Sequence, residues 1–481
     1  MPTYAQVRQR LENIQQDHLL RFYNELSSHE QDALLTQIDQ LDLESVPALV
    51  QAYVKSKPAF SLSADVGPAP YFPNDPNSPT RRWDKAAAQK AGEALIRAGK
   101  VAAFTVAGGQ GSRLGFDGPK GCYPAGAVTG KPLFQIFAEN LLGVQDRYGA
   151  PVPWYIMTSP LNHQSTVSFF EQNRFFGLDR RNVMFFPQGV LPSFDMSSGK
   201  ILLASKGEVA TNPDGHGGSI RALHVSGALA DMRKRGVEQI SYFQVDNPIV
   251  RAIDPVFLGL HAGAGGGGLE SSGEMSSKMV RKTGPGEKVG VFCSVNGKTE
   301  VIEYSDLPQT LQEQTLPDGT LRFIAGSIAI HVMSVEFVQR LATDPQFALP
   351  YHRAEKKIPH VNDKGEPVAP TGNNGVKLER FVFDALPLCR SSIVYETDRI
   401  EEFAPIKNAT GVDSVESSRE IQTRRAARWL TAAGVKVPTK ADGTVDALLE
   451  VSARTATSAE ELDAYKAKLP RAIEPGARMA L

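Results

Sequence analysis

A short, mainly apolar run, Val101 to Ala107, leads directly into Gly108-Gly109-Gln110-Gly111-Ser112-Arg113-Leu114-Gly115, with Pro119-Lys120 just beyond. A run of this length before a glycine cluster reads as a buried strand. The glycines allow a tight turn and bring backbone N–H groups close to a bound anion. Arg113 adds a planar fork suited to phosphate, and Lys120 adds a compact charge. Such a loop can hold a triphosphate. A strand ending in such a loop belongs in an open α/β sheet, where ligands bind beyond the carboxyl ends of the strands.

The rest of the chain follows the same rhythm. Strands are expected at Trp154–Thr158, 183–186 and 239–245, the last running into Asp246-Asn247. Helices are expected at Leu133–Tyr148, 163–176 and 219–235. This alternation implies a mostly parallel sheet covered on both faces. Before residue 99 the pattern is helical: Leu19, Leu20, Phe22, Tyr23 and Leu26 recur at helical spacing, as do Leu34, Leu35, Ile38 and Leu41. Residues 67–80 read as a surface linker rich in Pro, Asn and Asp, followed by a helix over 85–99. Residues 263–278 are glycine- and serine-rich and read as a mobile surface connection. The tail after Lys407 carries helix-like stretches at 419–433 and 458–469, and its purpose is not legible. With 481 residues the chain exceeds one ordinary core. Three regions are expected: a helical N-terminal region over 1–98, a catalytic α/β domain over 99–400 and a small C-terminal region over 401–481.

Composition excludes several classes. The formal net charge is -1, which gives no global attraction to nucleic acid or an anionic membrane. No apolar run is long enough to span a bilayer, and the first residues lack the order of a signal peptide. The 3 cysteines are far apart and form no C-x-x-C pair, so neither disulfides nor a zinc site is expected. A soluble protein of the reducing cytoplasm fits this pattern.

The glycine loop admits rival readings. A P-loop requires G-x-x-x-x-G-K-S/T, but Phe116 follows Gly115. A dinucleotide fingerprint requires G-x-G-x-x-G, and here the third glycine comes one position late. A turn without a ligand is what the loop alone leaves open. Arg113 and Lys120 speak against that.

The whole string resembles the signature of sugar-nucleotide pyrophosphorylases, G-G-x-G-S/T-R-L-G with a trailing P-K. Within that superfamily the chain is similar to the eukaryotic-type UDP-sugar pyrophosphorylases, and most to the UDP-N-acetylglucosamine pyrophosphorylase branch. The segments 16–26 and 154–159 carry the same resemblance, which runs from about residue 15 to about residue 410. It implies a Rossmann-like nucleotidyltransferase fold of the GT-A-like kind. That fold has a mixed sheet flanked by helices, a helical N-terminal region and a small C-terminal region. The implied activity is uridylyl transfer from UTP to a sugar 1-phosphate, giving a UDP-sugar and pyrophosphate with Mg2+ as cofactor.

The resemblance also distributes roles. Ala107, Gly108, Gly109 and Gln110 are implied to line the nucleotide, with Arg113 and Lys120 on the phosphates that leave. Gln188 can pair with uracil, since its amide offers a donor and an acceptor side by side. Gly215 and His216 are implied to line the uridine. The acetylated-sugar branch typically has asparagine at the second position, so His216 is a departure. Asp246, in Val245-Asp246-Asn247, is a hard oxygen ligand for Mg2+. Gly290, Glu303, Tyr304 and Ser327 fall on the sugar-binding segments, and Ser327 stands where the family usually has asparagine. Phe381 and Phe383 match a pair beside the N-acetyl pocket and are expected on a strand. Lys377 and Lys407 would neutralise phosphate charge. N-acetylglucosamine 1-phosphate is the expected sugar, with glucose 1-phosphate or a broader range as the alternative. A non-enzymatic sugar-nucleotide sensor on the same fold would have shed Arg113, Lys120, Asp246 or the lysines, and all are present.

Overall fold

Val101–Val106 lies in the middle of the larger part of the molecule, with parallel neighbours on both sides. The computed structural model describes residues 2–57 and 62–481. Met1 and residues 58–61, which belong to the expected N-terminal region, lie outside it. Two compact units are formed, each from separate stretches of chain. The larger comprises Leu62–Pro187, Ala222–Phe347 and Ala385–Leu481. The smaller comprises the described part of Met1–Ser61 together with Gln188–Arg221 and Ala348–Asp384.

The larger unit holds a mixed ten-stranded sheet. Val101–Val106, Trp154–Thr158, Val183–Pro187 and Gln239–Gln244 are parallel. Ala325–Ser334 runs antiparallel to Gln239–Gln244 and begins the other half of the sheet, with Val291–Val295, Lys298–Ile302, Met275–Arg281, Val394–Glu396 and Val66–Pro68. The central strands are buried along most of their length because both faces are covered. Val101 and Ala103 enter a core with Phe134, Phe137 and Phe243, whereas Phe104 packs on Phe186 and Tyr242.

The helix Lys85–Arg97, capped by Asp84, crosses the helix Pro255–His261 at very close range. A Cβ on Gly92 would lie 1.8 Å from the Pro255 carbonyl oxygen, and one on Gly259 would lie 1.8 Å from that of Ala88. Only glycine permits this crossing.

The tail is part of this unit. The helix Val415–Ala432 buries Trp429 and Leu430 against Leu449 and Leu462. Glu450 accepts hydrogen bonds from the N–H groups of Val128 and Thr129 at 2.7 and 2.9 Å. Gln422 donates to the Ala125 carbonyl at 3.0 Å. The tail thus braces the segment that follows the glycine loop.

In the smaller unit the helices Tyr4–Asn13 and Ser28–Asp39 each begin with a capping box. They bury Leu11, Leu34 and Ile38 with Phe194, Val209, Val376 and Leu378. A three-stranded antiparallel sheet is made by His352–Lys356, Gly375–Glu379 and Phe194–Asp195.

Several local expectations need correction. The Leu19–Leu26 pattern forms two short 3-10 turns, Asp17–Leu20 and Tyr23–Glu25, because the buried Gln16 amide is engaged by the Gly199 and Ile201 backbone. The 219–235 helix is two helices, Ser219–Val225 and Ala228–Lys234, separated by Gly227 at φ +80. Residues 263–278 are not a loose connection. Gly265 accepts a hydrogen bond from the Asp84 N–H at 2.8 Å, Arg81 donates to the Gly267 carbonyl, and Met275 onward is strand. Phe381 and Phe383 do not lie on a strand, since a 3-10 helix, Val382–Leu388, follows Gly375–Glu379 there. Among the described residues no helix is long and apolar enough to cross a membrane.

Candidate functional site

The parallel strands share one carboxyl end, and the glycine loop and Asp246 emerge there side by side. The Val245 N–H donates to the Val106 carbonyl at 3.1 Å, so pairing continues to the point where both chains leave the sheet. The loop is then closed on itself. Gly111 N–H donates to the Gly118 carbonyl at 2.9 Å, and Lys120 N–H to that of Gly109 at 3.0 Å. Gln110 and Pro119 form the bridge between these bonds, which sets Lys120 beside Gly109.

The loop glycines do different things. A Cβ on Gly111 would strike the Phe116 ring at 2.7 Å, so packing demands glycine there. Gly115, at φ +68, needs it for conformation. Gly109 has neither reason: its nearest neighbour would be the Lys120 Cε at 3.9 Å. Its exposed backbone is open to a close-approaching ligand.

Asn162, absent from the sequence-derived candidates, holds this loop. It is fully buried and donates to the carbonyls of Ala107 and Gly109 at 3.1 and 3.3 Å. Its Oδ1 accepts from the Ser159 N–H at 2.8 Å.

Arg113 is exposed, while Lys120 and Asp246 are half-buried. Among the described residues none of the three side chains has a hydrogen bond or an ion pair. Two cations and a carboxylate therefore stand at one sheet end without partners. No group of three or more His, Cys, Asp or Glu side chains is gathered to hold a metal among the described residues. A structural zinc site would need four protein ligands and a catalytic one about three. Mg2+ uses one or two carboxylates and completes its shell with water and substrate phosphates, and a lone unpartnered Asp246 suits it.

Lys407 reaches the same sheet end from the far side of the sequence, since the Ile406 N–H donates to the Asp246 carbonyl at 2.8 Å. The Lys407 ammonium lies 3.6 Å from Asp413. The antiparallel register of Ala325–Ser334 brings its first residues to this end as well. Ser327 N–H donates to the Gly290 carbonyl at 2.8 Å. Glu303 and Tyr304 lie just past the strand Lys298–Ile302. A Cβ on Gly290 would come within 2.6 Å of Val301 and 3.3 Å of the Glu303 carboxylate, so the missing side chain lets Glu303 approach the backbone.

The smaller unit carries Gln188, Gly215, His216, Lys377, Phe381 and Phe383. Gln188 is 8% exposed, and its Nε2 donates to Asp214 Oδ1 at 3.3 Å. Asp214, which sequence reasoning missed, is wrapped by Gly189 and Gly218, each too close to bear a side chain. Burial pushes the Asp214 carboxyl up to about 6, against the pull of Gln188 and Arg380. Gly215, at φ +81, lets the backbone turn beneath Arg380, whose N–H donates to the Asp214 carbonyl at 2.9 Å.

His216 Nδ1 accepts from the Val382 N–H at 3.1 Å, and its ring stacks on Phe381 with centroids 5.1 Å apart. Burial, then His352, pushes its imidazole down to about 4, so it is neutral with its proton on Nε2. His216 thus anchors the segment that bears Phe381 and Phe383. Lys377 is half-buried on the strand Gly375–Glu379 and has no ion pair among the described residues.

Comparison with known proteins supplies an independent line. The family described as UTP–glucose-1-phosphate uridylyltransferase matches residues 76–427. UDP-N-acetylglucosamine diphosphorylase 2 of Arabidopsis thaliana is 36% identical over 476 residues, covering 95% of this chain and 90% of its own. UDP-N-acetylglucosamine pyrophosphorylase of Saccharomyces cerevisiae is 35% identical over 475 residues, covering 94% and 95%. Among solved structures, the uridine diphosphate N-acetylglucosamine pyrophosphorylase of Trypanosoma brucei, in complex with inhibitor, superposes with a TM-score of 0.81. It is 26% identical and covers 97% of this chain and 96% of its own.

Proposed function

We propose a uridylyl transfer reaction for this chain, which belongs to the UTP–glucose-1-phosphate uridylyltransferase family. UTP and a sugar 1-phosphate, foremost N-acetylglucosamine 1-phosphate, give a UDP-sugar and pyrophosphate. The observation that carries this reading is the set of unpartnered charges around an open glycine backbone: Arg113, Lys120 and Asp246 at one sheet end.

The reaction asks little covalent help of the protein. A phosphate oxygen of the sugar 1-phosphate is already a nucleophile at neutral pH. It attacks the α-phosphorus of UTP, a new P–O bond forms, and the bond to the β-phosphate oxygen breaks, releasing pyrophosphate. Catalysis is alignment plus charge neutralisation, and no general base is needed. Arg113 and Lys120 hold the β- and γ-phosphates. Lys377 and Lys407 neutralise the α-phosphate and the incoming sugar phosphate. Gln188, oriented by Asp214, reads the uracil edge. Asp246 is the residue that would hold Mg2+, which when bound supplies positive charge to the phosphate oxygens.

Phe381, Phe383 and Gly290 support an acetylated sugar, and Ser327, shorter than the asparagine usual there, loosens that preference. Both N-acetylglucosamine 1-phosphate and glucose 1-phosphate are therefore used, the first better. The 3 free cysteines support a reducing, cytoplasmic setting. Pyrophosphate release from UTP across a panel of sugar 1-phosphates tests the assignment. Release with none of them would overturn it, and a strong preference for glucose 1-phosphate would replace the sugar.

A further inference from the structure

We infer that Asn247 is a positioning residue for this reaction: its buried amide ties the segment bearing Lys407 to the strand end bearing Asp246. The inference rests on the reading of Lys407 as a phosphate-neutralising residue.

Asp246 and Lys407 are remote in sequence, and among the described residues no continuous strand pairing joins their segments. Three hydrogen bonds do so instead. Asn247 Nδ2 donates to the Glu402 carbonyl at 2.7 Å. Its Oδ1 accepts from the Ala404 N–H at 3.1 Å. The Ile406 N–H then donates to the Asp246 carbonyl at 2.8 Å. Lys407 is the next residue.

The chemistry selects asparagine. One side chain must donate to a carbonyl and accept from an N–H two residues further on, and a primary amide offers both at this reach. Aspartate lacks the donor, and alanine lacks both groups. Asn247 is 5% exposed, so bulk water does not replace what is lost.

The far end of the clamp is itself pinned. The Glu402 carboxylate receives the Lys278 ammonium at 2.6 Å and the Thr397 hydroxyl at 2.9 Å. Lys278 sits at a β-bulge between Ser277 and Met279, and its ammonium also meets Asp254 at 2.6 Å. On the outer side, Ser418 donates to the Ala404 carbonyl at 2.7 Å. The 402–406 segment is thus anchored at Glu402, Ala404 and Ile406, while the Lys407 side chain is 41% exposed and rests 3.6 Å from Asp413. The backbone anchor sets where that flexible side chain can reach. Cutting Lys278 would strand buried charge and damage folding. Asn247 is therefore the residue that separates positioning from stability.

The test is a double-mutant cycle. Asn247→Ala is expected to lower kcat roughly tenfold to a hundredfold, the scale of a small misplacement of a catalytic group. In the Lys407→Ala background the same change is expected to cost less than about twofold, because the group it positions is gone. Amide hydrogen exchange at Ala404 and Ile406 should accelerate in Asn247→Ala. If that variant does not fold, Asn247→Asp takes its place in the cycle, keeping the acceptor and losing the donor. Full turnover in the folded Asn247 variant, or a penalty that multiplies undiminished on Lys407→Ala, overturns the positioning role. Wild-type turnover in Lys407→Ala overturns the reading of Lys407 itself, and the inference with it.

Discussion

The sheet end of the larger unit and the Gln188 region of the smaller one handle polar groups in opposite ways. At the sheet end, Arg113, Lys120 and Asp246 have no partner among the described residues. In the smaller unit, Gln188 is held by Asp214, and His216 by Val382 and Phe381. Each region has an exception: Lys377 in the smaller unit is a cation without an ion pair among the described residues, and Lys407 at the sheet end rests 3.6 Å from Asp413. The difference fits what each set would meet in the proposed reaction. A phosphate chain brings charge of its own and completes the shell of an unpaired cation or metal ligand. A neutral base is told from its relatives only by donors and acceptors already locked in direction.

The comparison breaks most sharply at the metal. Chelation of divalent ions is expected to abolish turnover, with Mg2+ restoring it. Asp246→Asn should raise the Mg2+ concentration needed, since an amide is a poorer ligand for a hard cation. A titration curve that superposes on wild type would place the metal elsewhere.

Next in size are the cations. Lys120→Ala or Arg113→Ala should lower kcat by about a hundredfold to a thousandfold, as for loss of a charge-stabilising donor. UDP-sugar binding, measured by calorimetry, should change far less, because the product lacks the departing phosphates. Near wild-type turnover would remove the residue from the catalytic set.

The locked half gives smaller, selective effects. Gln188→Ala should narrow the preference for UTP over CTP, to which a mismatched buried polar pair contributes about 1–3 kcal/mol. The Asp214 carboxyl, raised to about 6, is ionised above that pH and accepts from Gln188. It gains a proton as pH falls through about 6, and the orientation of the amide is then less fixed. The UTP/CTP ratio should therefore narrow below pH 6 in the wild type and stay flat in Asp214→Asn. Because the folded pKa is raised, Asp214 favours the fold most below its unfolded pKa. That contribution fades as pH rises through about 6.

Smallest is the sugar. Ser327→Asn should sharpen the preference for N-acetylglucosamine 1-phosphate over glucose 1-phosphate, on the scale of about one hydrogen bond. Loss of the acetylated activity in that variant would favour the glucose assignment.

What could be read in advance had short range. Val101–Val106, Leu133–Tyr148 and Trp154–Thr158 are set by apolar period and by the glycines beside them, so the parallel half of the sheet was legible. So was the loop from Gly108 to Lys120, because its turn and its charges are local. The glycine-rich 263–278 misled for the converse reason. Composition shows that glycines are free to turn, but not that Trp83 and Phe72 will pack against Gly267.

The sequence by itself therefore determined the α/β rhythm, the turn and the charges of the loop from Gly108 to Lys120, and the family to which those motifs point. Tertiary structure alone decided which distant residues support them. Asn162 holds a loop whose carbonyls belong to residues 107 and 109, Asp214 orients Gln188, and Asn247 clasps residues 402 and 404. A buried amide or carboxyl must find partners wherever the folded chain supplies them, and sequence spacing does not encode that choice. The same holds for the units themselves. Gln188–Arg221 and Ala348–Asp384 gather with the N-terminal helices because their apolar side chains share one core, although they are distant along the chain.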